Sequence, residues 1–98
     1  MATKKKAPQS NIRVGQSVFI RTVTHYLLGK IVALSKDEIL LVDASWIGWP
    51  TERHGVMLDT GKVSDVEKIP AKCEPVSVGR GAVVDAYAWP HALPKAST

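Results

Sequence analysis

Histidine and cysteine side chains are the first groups of this chain that could perform chemistry. His25, His54, His91 and the single cysteine, Cys73, lie far apart along the sequence. They lack the short H-x-x-x-H or C-x-x-C spacing with which proteins build zinc sites. The sequence therefore predicts no metal site and no bound cofactor. A lone cysteine without an internal disulfide partner is typical of a reducing compartment.

Two carboxylates inside apolar strands are the second group that could perform chemistry. Asp43 lies in LLVDASW and Asp85 in VVDAYAW. They could be a pair with shifted pKa values for acid and base catalysis. Alternatively, each is a strand-end or edge carboxylate that binds backbone amides or an arginine such as Arg21 or Arg80. We favour the second interpretation.

The residue types of a nucleophilic triad are present, as Ser45 or Cys73 with a histidine and one of these aspartates. No nucleophile elbow or oxyanion loop accompanies such a set. We therefore predict that the protein is not an enzyme.

Tryptophans are the third group, and they favour binding over catalysis. Trp46, Trp49 and Trp89 fall at the ends of predicted elements, with Tyr26 and Tyr87 nearby. Three interpretations remain open: large side chains that cap the core of a small barrel, contacts in a protein interface, or platforms on which nucleic-acid bases stack. We take the three tryptophans as candidate partner-binding residues.

The net charge of +4 comes from the N-terminus. Lys4, Lys5, Lys6 and Arg13 are four of the 13 basic residues, which leaves nine basic and nine acidic residues in 14–98. Residues 1–13 are therefore either a solvated, flexible terminus or an arm that docks on an acidic surface, whether phosphate or protein. A neutral body disfavours nucleic-acid binding, which normally needs a basic face. The four residues are candidate partner contacts.

The elements that must position these groups are mostly strands. A chain of 98 residues forms one domain. Runs rich in Val, Ile, Phe and Thr predict strands, and Gly and Pro mark their ends; the strands are predicted at 17–24, 27–34, 39–46, 62–69, 76–78 and 82–89. One short helix is predicted at 52–59, with Thr51 as its N-cap and Gly61 as its stop. Successive apolar positions in the second and third strands indicate that both sheet faces are covered, as in a small closed barrel or an oligomer.

The predicted organisation is a flexible basic arm at 1–13, a small β-barrel domain at 14–90 and an irregular tail at 91–98. No apolar run approaches the ~20 residues of a membrane span. The basic N-terminus lacks the apolar core of a signal peptide, so we expect the chain to remain in the cytoplasm where it is made.

The stretch from Val18 to Ala44 resembles the core of an Sm-like barrel. The resemblance is carried by Leu28-Gly29-Lys30-Ile31 at the entry to the second strand and by Ile39-Leu40-Leu41-Val42 as the third. SH3-like barrels share a glycine at that strand entry. In the Sm-like family, an Asp and an Asn near the intervening turn help to bind uridine, and Ser35 and Ile39 stand in the corresponding places here. The resemblance implies a shared barrel without the RNA pocket.

Longer sequence segments resemble those of a family of small uncharacterised proteins found in bacteriophages and prophages. They are VFIRTVTHYLLGKIV, ILLVDASWI, GKVSDVE and VSVGRGAVVDAYAWPHALP, and together they cover most of the chain. After the third strand, this chain has GWPTERH where relatives would have a phrase of the Asp-Thr-Gly-Arg-Phe type. The resemblance implies a phage setting and does not imply an activity.

These observations lead to one expectation for the fold and two for the function. The fold is expected to be mainly β, a small SH3-like or Sm-like barrel of five to six strands with one short helix and an extended basic arm. The leading function is a non-enzymatic virion structural protein, specifically a capsid decoration or cement protein. It would self-associate, contact the major capsid protein or another virion protein, and reside in the virion after assembly in the host cytoplasm. The alternative is a small cytoplasmic nucleic-acid-binding module with the same type of barrel.

Overall fold

The computed structural model of the protein describes residues 12–98, so the predicted contacts Lys4, Lys5 and Lys6 lie outside the described residues. The predicted fold class is confirmed: the described chain is a small, mainly β globule with six antiparallel strands and one α-helix. Its elements are β1 (Ser17–Thr22), β2 (Tyr26–Leu34), β3 (Glu38–Ile47), α1 (His54–Thr60), β4 (Val66–Lys68), β5 (Val76–Gly79) and β6 (Val83–Ala88). Single 3-10 turns lie at Ala71–Cys73 and Arg80–Ala82.

The strands form one sheet in the order β4-β3-β2-β1-β6, and β5 also pairs with β3. Strand β3 pairs with β2 along one edge and, because it is ten residues long, with two strands along the other: its first residues pair with β5 and its last residues pair with β4. Within residues 12–98, no ladder joins β5 to β6, because the 3-10 turn at Arg80–Ala82 separates them. The predicted barrel is therefore not closed by hydrogen bonds, although the arrangement is consistent with a small SH3-like fold.

Both faces of the sheet are buried, as the successive apolar positions predict. Leu27 belongs to one core cluster and Leu28 to the other, because neighbouring strand residues point to opposite faces. The first cluster contains Val18, Ile20, Leu27, Ile31, Ile39, Leu41, Ala44, Ile69 and Val78. The second contains Phe19, Leu28, Ile47, Met57, Val66 and Trp89. Ile12 packs against the first cluster, so the described part of the predicted arm already contacts the core.

Gly29 lies where β2 and β3 approach most closely. The register of the two strands shifts between Leu28 and Lys30. A Cβ atom at Gly29 would lie 3.1 Å from the Cβ of Leu41 and 3.3 Å from the carbonyl oxygen of Val42. A side chain at position 29 would therefore force the neighbouring strand to move by a few tenths of an ångström.

Helix α1 begins at His54 instead of the predicted Glu52, and its N-cap is Arg53 without a side-chain cap bond. The prediction of Thr51 as the N-cap is wrong. Thr51 lies before the helix, where its amide donates to the Oγ of Ser64 at 3.0 Å. The predicted stop is confirmed. Gly61 has φ 76° and its amide donates to the carbonyl of Met57 at 2.8 Å.

The C-terminal tail lacks regular secondary structure but packs on the domain. His91 contacts the carbonyl oxygen of Leu58 through Nε2 at 2.7 Å, and a Cβ at Gly61 would lie 2.5 Å from the Cγ of His91. Farther along, the Thr98 amide donates to the carbonyl of Val66 at 2.9 Å. The tail thus follows the end of α1 and then the outer edge of β4. No helix within residues 12–98 has the length and apolarity needed to cross a membrane.

Candidate functional site around the β1–β2 turn

The turn between β1 and β2 is fixed by its own side chains. The Oγ1 of Thr22 donates to the carbonyl of His25 at 2.7 Å and accepts from the His25 amide at 3.2 Å. The Oγ1 of Thr24 lies 2.8 Å from the Nδ1 of His25. These threonine bonds add to the backbone bond of 2.9 Å from the Thr22 amide to the His25 carbonyl, where the chain reverses. Val23, at the tip, is consequently held in solvent with 85% of its surface exposed.

An open groove of about 670 Å³, which we call the aromatic groove, lies on one side of this turn. Its residues are Arg21, Thr22, Val23, Thr24, His25, Tyr26, Gly48, Trp49, Pro50, Glu52, Arg53, His54 and Gly55. Trp49 is 89% exposed, yet its backbone is positioned because its N–H donates a hydrogen bond of 2.5 Å to the Asp65 carboxylate. The Tyr26 hydroxyl lies 2.7 Å from the Nε2 of His54, and the two rings meet edge to face at 5.0 Å. The groove therefore presents the Tyr26 and His54 rings in mutual contact and the Trp49 ring on a backbone that is hydrogen-bonded in place.

An ion pair borders the aromatic groove. The guanidinium of Arg21 donates through Nε and Nη2 to the two oxygens of Asp85, at 3.0 and 2.6 Å. The Tyr87 hydroxyl donates to the same carboxylate at 3.0 Å. The bonds from Arg21 are the main reason that the pKa of Asp85 is lowered, and the bond to Asp85 is the main reason that the pKa of Tyr87 is raised. The arginine-bound interpretation of Asp85 is confirmed.

Asp43 behaves differently. It lies in β3 with φ 52°, and the amides of Asp43 and Ala44 donate to the Glu74 carboxylate at 3.1 and 2.7 Å. The carboxylate that binds backbone amides here is therefore that of Glu74. Among the described residues, no group of three or more His, Cys, Asp or Glu side chains is placed to hold a metal ion.

A second groove, of about 330 Å³, lies on the other side of the same turn, and we call it the apolar groove. Its lining includes Trp46, which is 37% exposed, and Val76 of β5. It reaches Leu27 and Val78, which belong to the first core cluster, so its floor is part of the core. The turn therefore separates an aromatic, polar groove from an apolar one.

The structure brings two of the predicted contact residues to this surface and separates the others from it. Trp49 lines the aromatic groove and Trp46 lines the apolar groove. Trp89 does not belong to the surface: it is 4% exposed, stacks on Phe19 at 5.8 Å and donates its ring N–H to the Ala92 carbonyl at 3.3 Å. The assignment of Trp89 as a partner contact is thus corrected to a core residue. Arg13 is exposed in a turn before β1 and lines neither groove.

Sequence reasoning named His25, His54 and Tyr26 but assigned neither them, nor Arg53, nor the turn to a common surface. The signal was present in the phrase Thr22-Val23-Thr24-His25, where two threonines can bond to nearby backbone between β-branched runs. Arg53 and His54 follow Trp49 closely in sequence, but their place beside Tyr26 depends on how the β3–α1 segment folds back.

Comparison of the chain with protein-family models, curated proteins and solved structures finds no match. The interpretation of the site therefore rests on its geometry. Each histidine of the aromatic groove already has one ring nitrogen beside a hydroxyl group, and the charge of Arg21 is balanced by Asp85. The site therefore combines aromatic rings, one apolar depression and few uncompensated charges.

Proposed function

We propose that the protein is a non-enzymatic structural component of a bacteriophage particle, specifically a capsid decoration or cement protein. It docks on the major capsid protein or another virion protein through the turn surface, defined as Val23, Trp46 and Trp49 with the two grooves. The observation that carries this proposal is the 89% exposure of Trp49 on a fixed backbone beside Val23 at 85%. Exposed tryptophan on a preformed surface is typical of residues that dominate protein interfaces. The phage setting is supported by the sequence resemblance.

The charges around the turn favour a protein partner over nucleic acid. Because Arg21 is neutralised by Asp85, the remaining formal charges of the aromatic groove are those of Arg53 and Glu52. Glu52 accepts a bond of 2.8 Å from Ser64, which is the main cause of its lowered pKa, and so it remains ionised at neutral pH. A groove with one charge of each sign lacks the excess of positive charge that tracking phosphates requires.

Many copies on one shell would stabilise it by multivalency, since each copy adds modest contact area to neighbouring coat subunits. Residues 1–13, with Lys4, Lys5, Lys6 and Arg13, are proposed to extend across those neighbours, at a reach of up to about 3.3 Å per residue. The turn surface would supply specific contacts, and the arm would supply charge that matches an acidic coat surface.

The direct test is mass spectrometry of purified virions of the phage or prophage that encodes the chain, with copies counted per major capsid protein. We expect a simple integer fraction for the wild type and a loss of at least tenfold in incorporation for Trp49→Ala. Trp49→Phe, which keeps an aromatic ring, should retain most of it. Val56→Ala, at a 45% exposed valine outside both grooves, is the control for loss of exposed apolar surface. Absence of the wild-type protein from particles would refute the proposal.

The arm is tested separately by deleting residues 2–10. We expect the shortened protein to keep its far-UV circular dichroism spectrum and to be lost from particles. Unchanged incorporation would remove the arm from the proposal and leave the turn surface as the docking site.

Nucleic-acid binding is the second candidate, because Trp49, Tyr26 and Arg53 line one groove and planar rings beside arginine can stack on bases. It predicts binding to single-stranded RNA or DNA that weakens steeply with salt and is lost in Trp49→Ala. Fluorescence anisotropy with labelled oligonucleotides over a salt series distinguishes the two candidates. Binding that persists without residues 2–10 and requires Trp49 would favour nucleic acid.

A further inference from the structure

A third cavity lies between the C-terminal tail and the sheet, at the opposite end of β1 from the turn surface. It has a volume of about 530 Å³ and is lined by residues 91–95 of the tail and by Ser17, Asp43 and Lys68 of the strands. We call it the tail cavity. Small-molecule sites in proteins measure about 300–1,000 Å³, so the tail cavity has room for a small organic ligand. It shares no lining residue with either groove of the turn surface.

The tail is held to the domain on both sides of Lys95. Before it, His91 contacts the Leu58 carbonyl through Nε2 at 2.7 Å, and Leu93 packs against the second core cluster. After it, the Oγ of Ser97 accepts from the Lys68 amide at 2.9 Å. Lys95 is exposed between these contacts and lines the cavity. Its ammonium group is therefore carried by a backbone that is anchored within two residues on either side.

Lys68 supplies a second ammonium group to the tail cavity. Its side chain is half-buried, and its Nζ donates to the Ala44 carbonyl at 3.5 Å. An ammonium group has three N–H donors, so two remain for a ligand. Within residues 12–98, neither Lys68 nor Lys95 has a carboxylate within 4.0 Å. The cavity thus contains two positive charges that no ion pair of the described chain neutralises.

Asp43 and Ser17 add groups that can bind hydroxyls. Asp43 is the one acidic residue among those that line the tail cavity, and an ionised carboxylate only accepts hydrogen bonds. The Ser17 hydroxyl can donate or accept. The carboxylate of Glu74, which lies next to Asp43, already accepts from the amides of Asp43 and Ala44. The cavity therefore offers two cations to an anionic group and one carboxylate to hydroxyl donors.

A buried hydroxyl lies next to Lys68. Ser45 faces Lys68 in the ladder between β3 and β4, so the two side chains leave the same face of the sheet. Ser45 is fully buried, and its Oγ has no hydrogen-bond partner among the described residues. Buried polar groups are normally paired. The sheet face from which Lys68 reaches the cavity therefore has hydrogen-bonding capacity that the described chain leaves unused.

We propose that the tail cavity binds a small phosphate monoester with a hydroxylated body, such as a sugar phosphate. Lys68 and Lys95 hold the phosphate group, and Asp43 accepts hydrogen bonds from hydroxyls of the body. A phosphate monoester carries a charge of about −1.5 to −2 at pH 7, which matches two ammonium groups. Lysine binds phosphate as a compact point charge. The inference goes beyond the proposed function and does not depend on it, since the tail cavity lies outside the turn surface.

Titration of the full-length, ¹⁵N-labelled protein with ribose 5-phosphate, followed by two-dimensional NMR, tests the site. Inorganic phosphate and ribose serve as the comparison ligands. We expect saturable shifts of the Ser17, Lys68 and Lys95 amides with ribose 5-phosphate and no shift of the Trp49 amide. Inorganic phosphate should bind the same site more weakly, and ribose should not bind.

Charge variants assign the roles of the lining residues. Lys68→Gln and Lys95→Gln should each weaken the binding of ribose 5-phosphate about tenfold, the effect of losing one charge-assisted hydrogen bond. Lys36→Gln removes the same charge from an exposed lysine in the β2–β3 turn that lines none of the three cavities, and it should bind like the wild type. Spectra of the unliganded variants check that the fold is kept.

Asp43→Asn tests the contact with the hydroxylated body. It removes the negative charge from the cavity, so inorganic phosphate should bind more tightly than it does to the wild type. The preference for ribose 5-phosphate over inorganic phosphate should fall, because a neutral amide oxygen is a weaker acceptor than a carboxylate.

Four outcomes would overturn the proposal. The absence of saturable shifts, or shifts confined to residues outside the tail cavity, would show that this cavity is not a phosphate site. Equal weakening in Lys36→Gln would mean that binding follows overall charge. Equal affinity for inorganic phosphate and ribose 5-phosphate would leave the body of the ligand unrecognised. Loss of binding on deletion of residues 2–10 would assign the phosphate to the basic arm.

Discussion

The outer edges of β4 and β6 end the same sheet in opposite ways. At β4, the outward amides are bonded by the chain itself: the Val66 amide donates to the Oγ1 of Thr98 at 3.0 Å and the Lys68 amide to the Oγ of Ser97 at 2.9 Å. At β6, the described chain supplies no second strand, because β6 pairs with β1 alone. The comparison teaches that the fold can protect a sheet edge with its own tail and yet leaves one edge uncovered.

The largest expected loss of stability comes from Trp89→Ala. Trp89 follows β6, stacks on Phe19 and begins the tail whose last residues cover the edge of β4. Loss of a buried tryptophan should lower the free energy of unfolding by about 3–5 kcal/mol. Urea denaturation measures this loss, and hydrogen exchange should show faster exchange of the Val66 and Lys68 amides.

The control for that variant is Trp49→Ala, which removes an 89% exposed ring and should change the free energy of unfolding by less than about 0.5 kcal/mol. Equal losses in the two variants would contradict the core placement of Trp89.

A smaller loss of stability is expected when only the hydroxyl groups of the tail that accept from the β4 amides are removed. The double variant Ser97→Ala with Thr98→Ala eliminates two side-chain acceptors, each worth about 0.5–1.5 kcal/mol. Because both groups are near solvent, we expect a total loss of about 1 kcal/mol by urea denaturation. Exchange of the Val66 and Lys68 amides should accelerate, and that of the Ala86 amide should not change. Acceleration at all three would mean that the two edges are coupled.

The smallest effect is expected at the ion pair behind β6. The pKa of Asp85 is lowered from its ordinary 3.8, mainly by its bonds from Arg21. A lowered pKa means that the stabilisation is present above the ordinary value and is lost as the pH falls through the lowered one. Asp85→Asn should therefore be less stable than the wild type at neutral pH, and the gap should close in acid.

Urea midpoints of the two proteins, compared from neutral pH down to about pH 2, measure that gap. Asp43→Asn is the control for loss of a strand carboxylate, since Asp43 is exposed in β3 and forms no pair with an arginine. A gap for Asp85→Asn that persists unchanged in acid would contradict the assigned cause.

The strands and the double-sided core could be predicted because they depend on local composition. The β-branched runs placed β1, β2 and β3 within two residues of their observed ends, and Leu27-Leu28 indicated burial on both faces. Gly61 ended the helix as expected because its left-handed backbone is a local requirement. Arg21 was one of two arginines named as a partner for Asp85, and cross-strand register decided between them.

The exposure of the tryptophans and the path of the tail could not be predicted from local sequence. Trp49 and Trp89 are both followed by proline, yet one is 89% and the other 4% exposed. The difference arises because Trp89 continues β6 beside Phe19, whereas Trp49 leaves β3 for solvent. The β4 amides that donate to Ser97 and Thr98 belong to residues 29 and 32 positions earlier in the chain. No local pattern indicates such a contact, since it depends on the path of the tail past Gly61.

The close approach of His91 to Gly61 has a consequence for the tolerance of the gene to mutation. In a library that randomises every glycine codon of the described region, we expect functional clones to keep glycine at 29 and 61. Other residues should accumulate at 55, 79 and 81, where an added Cβ meets nothing within 4 Å. The contact between the end of α1 and the tail would then appear in the selected sequences as an invariant glycine at position 61.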